Sequence, residues 1–119
     1  MRRIAATCAT LLFSSAAAAD EPKILDVSAE QTGPTWRVEV TLRHPDTGWD
    51  HYADGWEVLD ANGARLGYRE LHHPHVDEQP FTRALTGLDL PDGTREIFIH
   101  AHCSVDGWTD ESRRVIEHP

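Results

Sequence analysis

Three histidines fall within four residues, at His72, His73 and His75, and they form the clearest chemical signal in the chain. Imidazole nitrogens, with carboxylate oxygens beside them, suit zinc or copper(II). Asp77 can bind the metal, or orient a ligand through a hydrogen bond. His51 or His102 can supply a further ligand from another loop. We therefore predict a zinc or copper(II) site from these residues: His72, His73, His75, His51, His102 and Asp77. The alternative is that the histidines are solvated loop residues.

Length and charge exclude several classes of protein. The chain has 119 residues, enough for one domain, with 11 basic and 20 acidic residues and 8 histidines. A nucleic-acid partner is not expected, because phosphate binding needs clustered lysine and arginine. No run of about 20 apolar residues is present, so we expect no membrane span.

The first segment has the pattern of an export signal. Arg2 and Arg3 precede an apolar stretch, and the small residues that follow end in Ala17-Ala18-Ala19. This order predicts a signal peptide over residues 1–19, cleaved after Ala19, and a mature domain over residues 20–119. We expect a periplasmic or secreted protein. Loss of the two arginines changes the formal net charge from −9 to −11.

Strict alternation of apolar and polar residues predicts an all-β domain. Trp36–Leu42 and Arg95–Cys103 each place every second residue on an apolar face. Weaker candidates complete a set of seven strands: Lys23–Glu30, Trp56–Asp60, Ala64–Leu71, Phe81–Leu88 and Arg113–His118. Asn62-Gly63 is typical of a primed hairpin turn. We predict a seven-stranded antiparallel sandwich of the immunoglobulin or fibronectin type III kind.

The connections between these strands differ in character. The first, third and fifth are short turns, whereas the second, fourth and sixth are the longer segments 44–55, 72–80 and 104–112. In an antiparallel sandwich, alternate connections lie at the same end. One end is therefore expected to gather six of the eight histidines, and binding loops are commonly placed in this way.

Other functions have weaker support. Trp49 and Trp108 lie in the long loops and can serve a protein-interaction module, or they can cap the core. Asp46 begins an EF-hand-like register, but His51 stands where the turn needs glycine, which leaves only a looser calcium loop. Cys103 is expected to be a buried core residue, because it continues the inward face of Ile97, Ile99 and Ala101. His102 points to the other face of the strand, so it is a poor base for a catalytic cysteine. A catalytic function is not expected.

Two segments carry a resemblance to a family. Gly48-Trp-Asp-His51-Tyr-Ala-Asp-Gly-Trp-Glu-Val58 and His72-His-Pro-His75-Val-Asp-Glu-Gln-Pro-Phe-Thr-Arg83 resemble a family of short, exported, uncharacterised bacterial proteins. The resemblance covers most of the predicted mature chain, and it implies export without implying an activity.

A second similarity is to superoxide reductases, whose iron site uses four histidines and one cysteine on an immunoglobulin-like sandwich. Cys103-Ser-Val-Asp106-Gly-Trp108 is similar to that family's segment from the cysteine to a histidine, with Asp106 in the position of the histidine. His73-Pro74 matches an upstream His-Pro pair, while the other histidine spacings differ. This resemblance implies a third functional hypothesis, an iron enzyme of the superoxide reductase kind.

Overall fold

The computed structural model of the protein describes residues 22–116, which form two antiparallel β-sheets around one apolar core. The strands are β1 (Lys23–Thr32), β2 (Thr35–Arg43), β3 (Ala53–Leu59), β4 (Arg65–Glu70), β5 (Phe81–Leu88), β6 (Glu96–Cys103) and β7 (Gly107–Val115). One sheet has the order β1-β2-β5 and the other the order β4-β3-β6-β7. The predicted all-β antiparallel sandwich is confirmed. In the described range, no helix has the length and apolar character needed to cross a membrane.

The strand boundaries differ from the prediction, most of all at the starts of two strands. β3 begins at Ala53 instead of Trp56, and β7 begins at Gly107 instead of Arg113. β7 lies at the edge of its sheet. An edge strand tolerates polar residues, so the start of β7 shows no apolar alternation from which the strand could be predicted. The predicted signal peptide, its cleavage site and His118 lie outside the described residues.

The core follows the alternation that the sequence displays. Trp36, Val38, Val40 and Leu42 of β2 are buried, as are the alternate residues Ile97 to Cys103 of β6. Each fully buried aliphatic side chain stabilises the fold by about 1.5–3 kcal/mol relative to an exposed one. The two inward series therefore fix which face of each sheet points to the core.

The hairpin between β3 and β4 forms at the predicted place with a different turn. Gly63 has a φ of +82°, whereas no residue other than glycine has a positive φ in the described chain, so Asn62 does not adopt the primed conformation. The Gly63 N–H donates to the Asp60 carbonyl, and the Asp60 carboxylate accepts the N–H groups of Asn62 and Ala64. The Asp60 side chain thus supports a turn in which only the glycine is left-handed.

The three loops that carry most histidines meet at one end of the sandwich. A backbone N–H of the β4–β5 loop, that of His75, donates to Asp46 of the β2–β3 loop. Ser104, between β6 and β7, exchanges hydrogen bonds with Tyr52: the Tyr52 N–H donates to Ser104 Oγ at 3.0 Å, and the Ser104 N–H donates to the Tyr52 carbonyl at 2.9 Å. The loops therefore form one contiguous unit.

Candidate metal centre

Three potential metal ligands come together between the two sheets at this end. One ring nitrogen each from His44 and His51 and the Sγ of Cys103 all lie within 4.8 Å of one another. His44 and Cys103 are fully buried, and the His51 side chain is 18% exposed. The two imidazole rings meet edge to face, with centroids 4.9 Å apart. Two imidazoles and one thiol are a donor set that binds zinc or copper.

The strands place these side chains by continuing their own alternation. His44 follows the inward series of β2 by one step past Leu42, just after the strand ends at Arg43. Cys103 is the last inward residue of β6 and pairs with Ala53 of β3. His51 precedes β3, and its N–H donates to the carbonyl of Gly48. Each ligand therefore lies where a strand of the core reaches its loop.

Asp46 orients His44 and is itself held by backbone groups. Its Oδ1 accepts a hydrogen bond from His44 Nδ1 at 2.5 Å and one from the Ala53 N–H at 3.0 Å. Its Oδ2 accepts the His75 N–H at 2.7 Å. Burial alone would raise the pKa of Asp46, but the bonds from the His44 ring and from these two N–H groups outweigh it and lower that pKa. Because the ionised Asp46 carboxylate can only accept, His44 Nδ1 is the donor in this bond, which leaves Nε2 as the ring atom that could bind a metal.

The free ring nitrogens of both histidines are buried polar atoms. Nε2 of His44 and Nε2 of His51 are inaccessible to solvent and have no hydrogen-bond partner among the described residues. A buried polar atom without a partner costs about 1–3 kcal/mol. The carboxylate–histidine arrangement at His44 is the one that accompanies metal-bound histidine in proteins.

Cys103 ends β6, and the tight turn that follows it contacts its sulfur. The Val105 N–H donates to Sγ at 3.5 Å, and Gly107, with a φ of +79°, lets the chain return to pair with Cys103. Burial raises the pKa of the Cys103 thiol, so without a cation the thiol stays protonated at neutral pH. A bound metal ion reverses this preference, because coordination deprotonates a thiol.

The histidine-rich segment between β4 and β5 contacts the loop that carries His44 and Asp46. His75 is buried and stacks on Phe81 with ring centroids 3.9 Å apart, and its Nε2 accepts a hydrogen bond from Arg83 Nη2 at 2.9 Å. Gln79 accepts the His44 N–H and donates to the His75 carbonyl. The segment thus holds Asp46 and His44 in place through its backbone and through Gln79.

Most of the sequence-predicted ligands lie outside the group of three. His72 and Asp77 are exposed, and so is His73, whose ring packs against His75. His102 lies on the outer face of its sheet, with Nδ1 bonded to Asp54 Oδ1 at 2.5 Å. His51 is the one predicted ligand that belongs to the group.

Aromatic residues near the loops have two different environments. Trp49 is 68% exposed and meets Tyr52 edge to face. Trp108 is 39% exposed and lies on the outer face of its sheet, stacked on His100 and in contact with Tyr68. Trp108 thus belongs to β7 and not to a loop.

His44 and Cys103 are the two members of the group of three that the sequence interpretation did not name as candidate ligands. The signal in the sequence was the alternation of inward-facing residues in β2 and β6. One further step of this alternation in β2 places His44 at the loop end of the core, and in β6 Cys103 is the last inward-facing residue. A second His-Pro pair, His44-Pro45, thus contributes its histidine to the group, whereas His73-Pro74 contributes none.

Comparison with known proteins found a relative in sequence and solved structures of similar fold. A protein from Halomicrobium mukohataei named "Putative lipoprotein" is 38% identical over 96 residues, which are 80% of this chain and 47% of that protein. The chain therefore spans about half the length of this relative. No protein family model matches the chain.

The similar structures share the fold at low sequence identity. A hypothetical protein from Pyrococcus horikoshii OT3 superposes with a TM-score of 0.53 and 18% identity, covering 81% of this chain and 85% of that one. Superoxide reductase in its oxidised state superposes with a TM-score of 0.53 and 17% identity, covering 82% of this chain and 90% of that one. The chain thus has a superoxide reductase-like β-fold.

Proposed function

We propose that this domain is an exported metal-binding protein that holds zinc or copper(II) with His44, His51 and Cys103. The observation that carries the proposal is the buried Nε2 of His44, which lacks a hydrogen-bond partner among the described residues. Asp46 holds the other nitrogen of this ring, and the ring lies beside a second imidazole and a thiol. A metal ion satisfies all three groups at once. When bound, it would supply a cross-link between the two sheets.

The donor set fits such an ion. Thiolate and imidazole are preferred ligands of zinc and of copper, and a second hydrogen bond on the far side of a ligating histidine is the usual support. We place His75 and Gln79 in this supporting layer, because both hold the loop that carries His44. His72, His73 and Asp77 are not part of the proposed ligand set.

Export is part of the proposal. It is supported by the signal-like order of residues 1–19 and by the name of the Halomicrobium relative, which describes a lipoprotein. A periplasmic or secreted location follows from such a signal.

The test is calorimetric titration of metal-free full-length protein with zinc and with copper(II). We expect one equivalent to bind, and we expect Cys103→Ala to weaken binding by at least about 100-fold, since loss of even a supporting residue costs 10–100-fold. His72→Ala is the matched control, because this exposed histidine should leave the affinity unchanged. Circular dichroism verifies that each variant is folded. The proposal fails if the native protein binds neither metal, or if His72→Ala weakens binding as much as Cys103→Ala.

A second candidate is an iron centre of the superoxide reductase type. Both the fold likeness and the presence of a cysteine beside two histidines favour it. That family uses four histidines, whereas the group here contains two, so zinc or copper fits the donors better. Reconstitution with iron under reducing conditions decides between them. A thiolate-to-iron absorption band that Cys103→Ala abolishes would support the iron centre, and its absence in the native protein would exclude it.

A further inference from the structure

Two exposed aromatic rings, Tyr68 and Trp108, meet on the outer face of the four-stranded sheet and are called the aromatic pair below. Tyr68 belongs to β4 and Trp108 to β7, the two edge strands in the order β4-β3-β6-β7. With about 4.8 Å between neighbouring strands, these edges lie about 14 Å apart. The two rings nevertheless meet edge to face with centroids 6.4 Å apart, and each residue is 39% exposed. Both rings therefore lie across the sheet, over β3 and β6.

The backbone beneath the aromatic pair is adapted to it. Gly55 of β3 has no side chain, and a Cβ in its place would lie 2.2 Å from the Tyr68 hydroxyl oxygen. The register between β6 and β7 shifts between His100 and His102, beside Trp108. Trp108 contacts both imidazole rings there, with centroids 5.1 Å from that of His100 and 4.7 Å from that of His102. Irregularities of this kind often redirect a side chain at a functional site.

Arg65 supplies hydrogen-bond donors beside the aromatic pair. Its guanidinium carbon lies 4.9 Å from the ring centroid of Tyr68 and 5.8 Å from that of Trp108. Arg65 Nε donates to Glu57 at 2.8 Å, so the two NH₂ groups of the guanidinium remain as donors. The Arg65 side chain is 51% exposed, whereas that of Glu57 is only 10% exposed. A buried carboxylate thus anchors an exposed guanidinium next to the two rings.

The two histidines supply acceptors at the same place. Nδ1 of His102 donates to Asp54 at 2.5 Å, and Nδ1 of His100 donates to Glu57 at 3.3 Å, which leaves Nε2 of each ring as an acceptor. Asp54 is an extra residue of β3, where the register with β6 shifts. Burial, followed by the negative charge of Asp54, raises the pKa of Tyr68. The Tyr68 hydroxyl therefore stays protonated at neutral pH and can both donate and accept.

We propose that the outer face around the aromatic pair binds a neutral saccharide chain. Sugar hydroxyls both donate and accept hydrogen bonds, and the apolar C–H groups of a sugar ring pack on exposed aromatic rings. An anion would need donors alone and a cation acceptors alone, whereas donors and acceptors both surround this pair. An open sheet face also leaves room for several sugar units in a row. The site lies on the opposite face of β6 from Cys103, so it is independent of the proposed metal centre.

Calorimetric titration of the full-length protein with soluble neutral oligosaccharides tests the proposal. The probes are cellohexaose, chitohexaose, xylohexaose and mannohexaose. At least one should bind with a Kd below about 1 mM. Trp108→Ala should weaken this binding by about 10-fold or more, because an aromatic side chain at the centre of a contact commonly dominates its affinity. Trp108→Phe keeps an aromatic ring and should retain most of the affinity.

Trp49→Ala is the matched control, since this tryptophan is also exposed but lies in the β2–β3 loop. It should bind sugar like the native protein, and zinc or chelator should leave the affinity unchanged. The proposal is overturned if none of the four hexasaccharides binds, or if Trp49→Ala weakens binding as much as Trp108→Ala. Binding of spermidine without binding of any sugar would also overturn it, because the face would then be a cation site. Circular dichroism shows whether each variant is folded.

Discussion

Asp46 accepts hydrogen bonds from three segments of the chain, and this makes it the organising residue of the site. The His44 ring, the N–H at the start of β3 and the N–H of the β4–β5 loop all converge on its carboxylate. An oxygen acceptor with a full negative charge satisfies all three donors, which a neutral side chain does not.

Replacement of this carboxylate tests its role. In Asp46→Asn, the amide NH₂ is itself a donor and faces at least one of the three donors that the carboxylate accepts. That donor loses its hydrogen bond, so we expect the free energy of unfolding of the metal-free protein to fall by about 3 kcal/mol. Zinc affinity should fall about 10–100-fold, because His44 loses its orienting partner. Urea unfolding and zinc titration measure the two effects. The exposed Asp77→Asn serves as control, and equal effects of the two substitutions would contradict the assigned role.

His75 gives the metal-free protein a dependence on pH. Burial, followed by the positive charges of Arg83 and His73, lowers the pKa of His75 below its ordinary value of 6.5. The unfolded chain therefore takes up this proton at a higher pH than the folded chain. As the pH falls below about 6.5, the free energy of unfolding should decrease by up to about 1.4 kcal/mol per unit of pKa shift.

The contribution of His75 is separable by substitution. His75→Phe keeps an aromatic ring against Phe81 and keeps the backbone N–H that Asp46 accepts, but it cannot be protonated. We expect its stability to depend less on pH between 7 and 5, measured by urea unfolding in chelator. His72→Phe, at an exposed position, should keep the native dependence. Identical pH profiles for native protein and His75→Phe would refute this assignment.

Among the strands, β4 shows how closely the two sheets approach each other. Its Gly67 faces Leu85 and Leu88 of β5, and a Cβ built on Gly67 would lie 2.8 Å and 2.7 Å from their methyl carbons. Gly67 therefore provides the space in which the edges of the two sheets meet, and no side chain fits there unless the leucines move.

Gly67→Ala should accordingly destabilise the protein by about 1 kcal/mol, the lower end of the cost of overpacking, because the end methyl groups of the half-buried Leu85 and of Leu88 must shift to admit the alanine methyl. Leu85→Ala opens space at the same contact, so the double variant should lose less stability than the two single variants predict by addition. Urea unfolding of all four proteins gives the coupling energy. Simple additivity would mean that the alanine methyl does not meet Leu85.

At the scale of the whole molecule, the proposed metal adds a direct link between the two sheets at this end, beside the hydrogen bonds that Asp46 accepts. His44 follows β2 of one sheet, and Cys103 ends β6 of the other. Metal binding and folding should therefore be coupled, because the unfolded chain does not bring residues so distant in sequence together.

This coupling predicts a large change in thermal stability. Zinc at 100 times its Kd should add about 2.7 kcal/mol to the free energy of unfolding. For a domain of this size, that raises Tm by about 10 °C or more. Differential scanning calorimetry with and without zinc measures the shift. Cys103→Ala should show no such shift, and an equal rise in Tm for this variant would place the metal elsewhere.

The sequence by itself determines the fold class, the inward faces of β2 and β6, and the concentration of histidines in three loops. These features are local, since a period of two residues reveals a half-buried strand without knowledge of its neighbours. The same local information locates the turn between β3 and β4 but misses the role of the Asp60 carboxylate in holding it. It also misses the first half of β7, whose polar edge residues carry no alternation.

Only the tertiary structure decides which side chains form the site. His44, His51 and Cys103 meet because two sheets pack face to face and three strand ends fall at the same depth. In the dense run of histidines, the backbone N–H of His75 instead donates to Asp46, and the buried His75 ring packs on Phe81. The sequence shows where histidines are concentrated. The direction of each ring nitrogen depends instead on contacts between segments far apart in the chain, and those contacts exist only after the sheets have packed.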